Sequence, residues 1–187
     1  MKLLCLDTET GGLDPAEDAL VEVAWCEFGT DDYHSLILPH DPLLVGEFAR
    51  KINGYDERRL DDPWKWATRD EIWRLRAALN GATLVGANIA FDEAFLKANH
   101  FTGWHYRKLD LEAYALPKVG YVPDKYGTGL ALPGLADVTA WLNERGWNVP
   151  TPDHTALGDV RTTVAVLAAF TEIYERAANA HAIDLLG

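Results

Sequence analysis

Three short stretches, far apart in the chain, gather side chains able to hold a cation or move a proton. Asp7-Thr8-Glu9 follows the apolar run Lys2 to Leu6. Alternate residues of a strand project from one face, so these two carboxylates point the same way. Like charges held together at a buried strand end need a cation or a shared proton, which points to a metal site. A pair turned to solvent ahead of a turn is the plainer alternative. Asn88-Ile89-Ala90-Phe91-Asp92 comes straight after a second apolar run, at the start of a helix. There a carboxylate is favoured by the dipole and an Asn can act simply as a cap. His154-Thr155-Ala156-Leu157-Gly158-Asp159 follows the rigid Pro150-Thr151-Pro152-Asp153. Residues five apart on one helix are turned by about 140°. His154 is therefore placed on the loop before the helix and Asp159 inside it, both able to approach one centre.

The elements that must position these residues follow from apolar periodicity and its interruptions. Lys2 to Leu6, Ala19 to Phe28 and Tyr33 to Leu38 read as strands of a meander, the last closed by Pro39 and Pro42. Ala82 to Ala87 and Tyr106 to Leu111 read as two more strands. Helices are expected over Leu43 to Ile52, about Trp64 to Leu79, Phe91 to Asn99, Gly134 to Arg145 and about Thr155 to Ala180, with Asn53-Gly54 and Asn80-Gly81 as stops. The last helix carries Leu157, Val160, Val164, Leu167 and Tyr174 along one packing face. Gly120 to Pro133 is the expected mobile loop. A meander followed by helices alternating with two strands predicts a mixed α/β sheet covered by helices, in a single domain over residues 1–187.

Composition agrees with a globular chain: 187 residues, 48% hydrophobic and 25% charged, which excludes collagen-like, coiled-coil and disordered classes. Cys5 and Cys26 lie in apolar runs without a CxxC pair, against a disulfide framework or thiolate zinc site. No apolar run approaches the ~20 residues that span a bilayer. The start meets Asp7 too early for a signal peptide, so a cytoplasmic location without membrane contact is expected. The formal charge of −12 would by itself repel a polyanion. Yet eight of the 17 Lys and Arg fall within residues 50–76, either as a solvated helical face with i,i+4 pairs or as a modest phosphate-tracking patch. Carboxylates that bind cations also reverse the local field. Seven tryptophans are mostly expected as buried bulk, with Trp64, Trp66 and Trp73 placed where one could stack on a base.

Taken together, Asp7-Thr8-Glu9-Thr10-Gly11-Gly12-Leu13, Asn88 through Asp92, and His154-x-Ala156-x-x-Asp159 resemble in order and separation the three motifs of the DEDDh, or DnaQ-like, 3′-to-5′ exonucleases. Lys108-Leu109-Asp110-Leu111 and Gly134-Leu135-Ala136-Asp137 resemble that family's intervening segments. Many relatives have a histidine where this chain has Ala87. The resemblance implies a ribonuclease H-like fold: a mixed five-stranded sheet, with a three-stranded antiparallel meander plus two parallel strands, flanked by helices. It implies that Asp7, Glu9, Asp92 and Asp159 hold two divalent cations about 4 Å apart, Mg²⁺ or Mn²⁺ given the all-oxygen ligands. His154 would take the proton from the attacking water. Thr10 and Gly11 would approach the terminal sugar, Leu13 would wedge against the last bases, and Asn88 and Phe91 would line the other wall. Implied partners are the 3′ end of single-stranded DNA or RNA, DNA being preferred, and a polymerase or replication protein. Rival readings are a catalytically idle module that binds a polymerase, an oligoribonuclease-like enzyme for short RNA, and a metal phosphatase.

Overall fold

Leu3–Thr10 (β1) is the central strand of a five-stranded sheet and has covered apolar residues on both faces, as a strand between two helical layers must. This computed structural model describes residues 2–124 and 129–184, with 177–184 described by backbone alone. β1 pairs antiparallel with Leu20–Glu27 (β2), which pairs antiparallel with Tyr33–Ile37 (β3). On its other edge β1 runs parallel to Thr83–Gly86 (β4), and β4 runs parallel to Lys108–Asp110 (β5). The order β3-β2-β1-β4-β5 bears out the expected meander and two parallel strands.

Side-chain alternation divides the core in two. Cys5 faces Leu111–Val119 (α4), Leu135–Asn143 (α5) and Ala156–Asp184 (α6), together with its cross-strand partner Cys26, both as buried free thiols. Leu4 and Leu6 face Arg69–Leu79 (α2) and Ile89–Ala98 (α3). Asp7 and Glu9 follow Cys5 in the alternation, so they continue the α6 face beyond the end of the apolar core.

Three segments differ from the sequence reading. Leu43 to Ile52 is broken into a 3₁₀ turn, Pro42–Leu44, and a short helix, Glu47–Ile52 (α1). Val45 and Gly46 between them are extended. That frees Leu44 O to accept Ala19 N–H and Gly46 N–H to donate to Gly11 O, anchoring the segment to the end of β1. The helix expected from Trp64 is likewise split. Pro63–Lys65 is a turn capped by Asp62, Ala67 N–H then bonds Ile37 O, and α2 begins at Arg69 behind the capping box of Thr68 and Glu71. Finally, α4 was not foreseen. Asp110 Oδ1 caps it by accepting Glu112 and Ala113 N–H, Leu111 and Ala115 bury one side, and Pro117 falls in its last turn, where its missing N–H masks the helical signal. Within the expected mobile loop, Val122–Pro123 (β6) and Leu130–Ala131 (β7) pair as a hairpin, and residues 125–128 lie outside the described residues.

The basic segment is neither a ladder of i,i+4 pairs nor wholly free. Arg50 donates to Val45 O, Pro42 O and Asp56, Arg58 to Asn53 O and Glu22, and Arg76 to His100 O. Guanidinium forks here tie loops together, because each presents several donors to carbonyls that the turns leave unpaired. Of the tryptophans, Trp66 is held through Nε1 to Leu60 O, whereas Trp64 and Trp73 are exposed. No helix among the described residues is long and apolar enough to cross a membrane.

Candidate active site

Three of the sequence-selected carboxylates converge where β1 leaves the core. Oxygens of Asp7, Glu9 and Asp159 lie within 4.8 Å of one another. Asp7 and Glu9 arrive by strand alternation, and Asp159 by lying in the first turn of α6, which packs across that face of β1 and β2. The start of α6 is itself fixed. Asp153 Oδ1 accepts Thr155 N–H and its hydroxyl, Asp153 N–H donates to Asp159 Oδ1 at 2.9 Å, and the Asp153 carboxylate fills the space that a Cβ on Gly158 would need.

Asp92 approaches from the opposite face of the sheet, on α3. It is buried, and its Oδ1 accepts the Thr8 hydroxyl at 2.7 Å. Thr8 points away from its neighbours Asp7 and Glu9, so Asp92 meets the cluster at the end of β1 without joining the three mutually close oxygens. Burial pushes its carboxyl up to about 7 despite the hydrogen bonds from Thr8. Asp7 is raised well above the usual range by burial, then by the charges of Asp92, Glu9, Asp159 and Glu22. Burial also raises Glu9 to about 8, assisted by Glu22 and Asp159 and opposed by Arg58. For Asp159, burial raises the carboxyl against the backbone donor of Asp153 and the proximity of His154. Half-buried carboxylates, raised by desolvation first and by their neighbours' charges second, form a donor set of hard oxygens, which fits Mg²⁺ or Mn²⁺ and not a thiolate-preferring ion.

His154 lies on the loop before α6, as expected, and is exposed. Its backbone is left-handed at φ 58°, a conformation that costs a side-chain-bearing residue energy and that rigid surroundings must hold. The ties of Asp153 to Thr155 and Asp159 supply that rigidity.

Beside the carboxylates opens a cavity of about 500 Å³, lined mainly by apolar groups. Four of the five predicted binding residues are in its wall: Thr10, Gly11, Leu13 and Phe91. Leu13 is 85% exposed, and Phe91 packs on Phe95. Asn88 is the exception. It is exposed at the N-terminus of α3, in the left-handed conformation that Asn tolerates, with no side-chain capping bond and no place in that wall. Gly11 is required by close approach: a Cβ there would sit 2.0 Å from Leu44 O and 3.0 Å from Ala19 N. Gly11→Ala is expected to destabilise the fold by roughly 3 kcal/mol, lowering the melting temperature by about 6–12 °C in a thermal scan. An unchanged transition would contradict the packing of the Val45–Gly46 segment on β1.

Sequence reasoning missed several residues here. Glu22 stands directly across from Glu9 in the register, buried, with Arg58 Nη2 at 2.7 Å and the Ser35 hydroxyl at 2.6 Å. Its signal was a carboxylate inside an otherwise apolar strand. Phe48, Ile52 and Asn53 also line the cavity. Asn53 read only as a helix stop, and Phe48 is 77% exposed.

No protein-family model matches the chain. A DNA polymerase III PolC-type from Thermotoga petrophila is 24% identical over 186 residues, covering 91% of this chain and 12% of the polymerase. Among solved structures, an exonuclease I from Methylocaldum szegediense superposes with a TM-score of 0.65 at 21% identity, over 91% of this chain and 40% of that one. E. coli exonuclease I in complex with a dT13 oligonucleotide gives 0.64 at 19% identity, over 96% and 43%. The chain thus spans less than half the length of each. At these identities the likeness establishes the fold, and the mixed sheet flanked by helices is the ribonuclease H-like architecture expected from the sequence.

Proposed function

We propose that this chain is a metal-dependent 3′-to-5′ exonuclease that removes nucleoside 5′-monophosphates from the end of a single strand, DNA in preference to RNA. The observation that carries the proposal is the convergence of Asp7, Glu9 and Asp159, with Asp92 adjoining, beside a cavity of nucleotide size whose wall includes Glu9. A dT13 oligonucleotide in the E. coli structural relative supports a single-stranded DNA substrate.

In this reading the four carboxylates hold two divalent cations. When bound, these supply positive charge against the scissile phosphate and acidify the attacking water. The chain's own residues do the rest. His154 accepts the water proton as neutral imidazole, which fits its place on the loop preceding Asp159. Leu13 and Phe91 give apolar faces against which the terminal base is held. Thr8 fixes the Asp92 carboxylate through its hydroxyl. The mainly apolar wall of the cavity suits the exposed base of an unpaired end. A polymerase partner would supply grip on long strands that an acidic surface lacks.

The test is end-dependence. With Mg²⁺ or Mn²⁺, a linear oligonucleotide labelled at its 5′ end should shorten stepwise and release 5′-monophosphates. A circular strand of the same sequence should persist at least about 100-fold longer, since it offers no terminus to position for attack. Equal cleavage of the circle overturns the exonuclease reading, and no cleavage of either leaves the idle-module reading in its place.

A further inference from the structure

A second cavity, of about 490 Å³, opens between α3 and the β5 edge of the sheet and shares no residue with the first. The Glu93 carboxylate in its wall is fully engaged: Oε1 accepts Trp104 Nε1 and Lys97 Nζ, each at 2.9 Å, and Oε2 accepts Lys108 Nζ. One carboxylate thus gathers two ammonium groups, and each keeps donors to spare, since a lysine carries three. The local balance is positive in a chain whose formal charge is −12. From residue 94 to 109 the sequence has Lys97, Arg107 and Lys108 and no Asp or Glu. Tyr106 is 77% exposed, an aromatic face left in water, and Arg107 Nε donates to its hydroxyl at 3.1 Å. Trp104 is half-buried. The loop that carries both rings is pinned, because Gly103 O accepts Gly81 N–H and His105 N–H donates to Ala82 O, each at 2.8 Å.

We infer that this cavity binds one nucleotide of a single strand away from the carboxylate cluster, its phosphate between Lys97 and Lys108 and its base against Trp104 and Tyr106. The ligand class rests on the nuclease reading above, whereas the residues are distinct from that site's. Two ammonium groups on one anchor suit the several oxygens of a phosphate, and an aromatic wall takes any unpaired base. A base stacked within a duplex offers such a wall no free face. No Leu, Ile, Val or Met enters the wall, so an acidic peptide would meet cations without a pocket for its apolar side chains. Reach agrees as well. Lys108 is level with Leu4 across β4 in the sheet register, so its Cα stands roughly 14 Å from that of Asp7 at ordinary sheet spacings. A strand with its end at the carboxylates spans that within a few nucleotides.

Equilibrium binding of a labelled circular oligo-dT in EDTA tests this, since the circle offers no terminus and EDTA allows no turnover. Y106A should weaken wild-type binding roughly 10-fold. K97Q should weaken it several-fold and make it less dependent on salt. A blunt duplex of equal length should compete poorly, and thymidine 5′-monophosphate only at far higher concentration than the strand. Should K97Q fail to fold, Y106A decides alone, because that ring stands in water. Unchanged binding in Y106A overturns the inference, as does an unchanged salt dependence in folded K97Q. A duplex that competes as well as the strand overturns the stacked base, and a monophosphate that does so makes the cavity a free-nucleotide site instead. Polyglutamate bound as tightly as the circle, and weakened as much by Y106A, puts an acidic peptide in its place. Wild type that binds no circle overturns this inference alone, because hydrolysis of linear ends is read separately. A circle bound as expected, with linear ends uncleaved, removes the nuclease reading and leaves this site standing.

Discussion

Asp7→Asn is expected to cut hydrolysis roughly 10³-fold or more while making the metal-free protein harder to melt at alkaline pH. Both effects come from one placement. Asp7 is raised by burial first and then by Asp92, Glu9, Asp159 and Glu22, so it contributes repulsion to the metal-free fold and charge to any bound cation. The sign of the pH dependence follows. Folded-state values above the unfolded ones mean that the native protein keeps protons which the unfolded chain has already lost. Stability therefore falls as pH rises from the ordinary carboxylate range through about 7 for Asp92 and about 8 for Glu9. Melting of the metal-free wild type should decline across that window, and Asp7→Asn should flatten the decline. Adding Mg²⁺ or Mn²⁺ should restore wild-type stability more at high pH, where protons no longer compete, and should do little for the variant. A variant that retains about a tenth of the wild-type rate would place Asp7 outside the chemistry. One that melts lower than wild type in alkali would show that the cluster is not repulsive.

His154→Ala should lower the rate roughly 10²-fold to 10⁴-fold while leaving cation-dependent stabilisation intact. The separation is possible because His154 stands on the preceding loop, whereas the converging oxygens belong to Asp7, Glu9 and Asp159. Loss of metal stabilisation together with activity would reassign His154 as a support of the cluster. Full activity would remove it from the mechanism.

The legible part of the site was that set by local spacing. Asp7 and Glu9 share a face because strands alternate, and Asp159 enters from a helix whose start is marked by Pro152 and His154. The five strands of the main sheet were legible too, since each apolar run is bounded by its own glycines, asparagines or prolines. The short α4 was not, because Asp110 both ends a strand and caps the helix that follows. The split at Val45 and Gly46 was hidden as well. Its cause is hydrogen bonding to Gly11 and Ala19, more than twenty residues back along the chain.

What the sequence determined by itself is a set of apolar strands with carboxylates at the end of the first one, because alternation and helical period act between near neighbours. Only the tertiary structure decided which distant groups face them. The β1–β2 register put Glu22 beside Glu9, the packing of α3 on the other side of the sheet gave Asp92 to Thr8, and the docking of α1 on the end of β1 turned Asn53 from a helix stop into part of a cavity wall. These juxtapositions arise from burial and backbone pairing between segments far apart in the chain, and no spacing within a single segment encodes them.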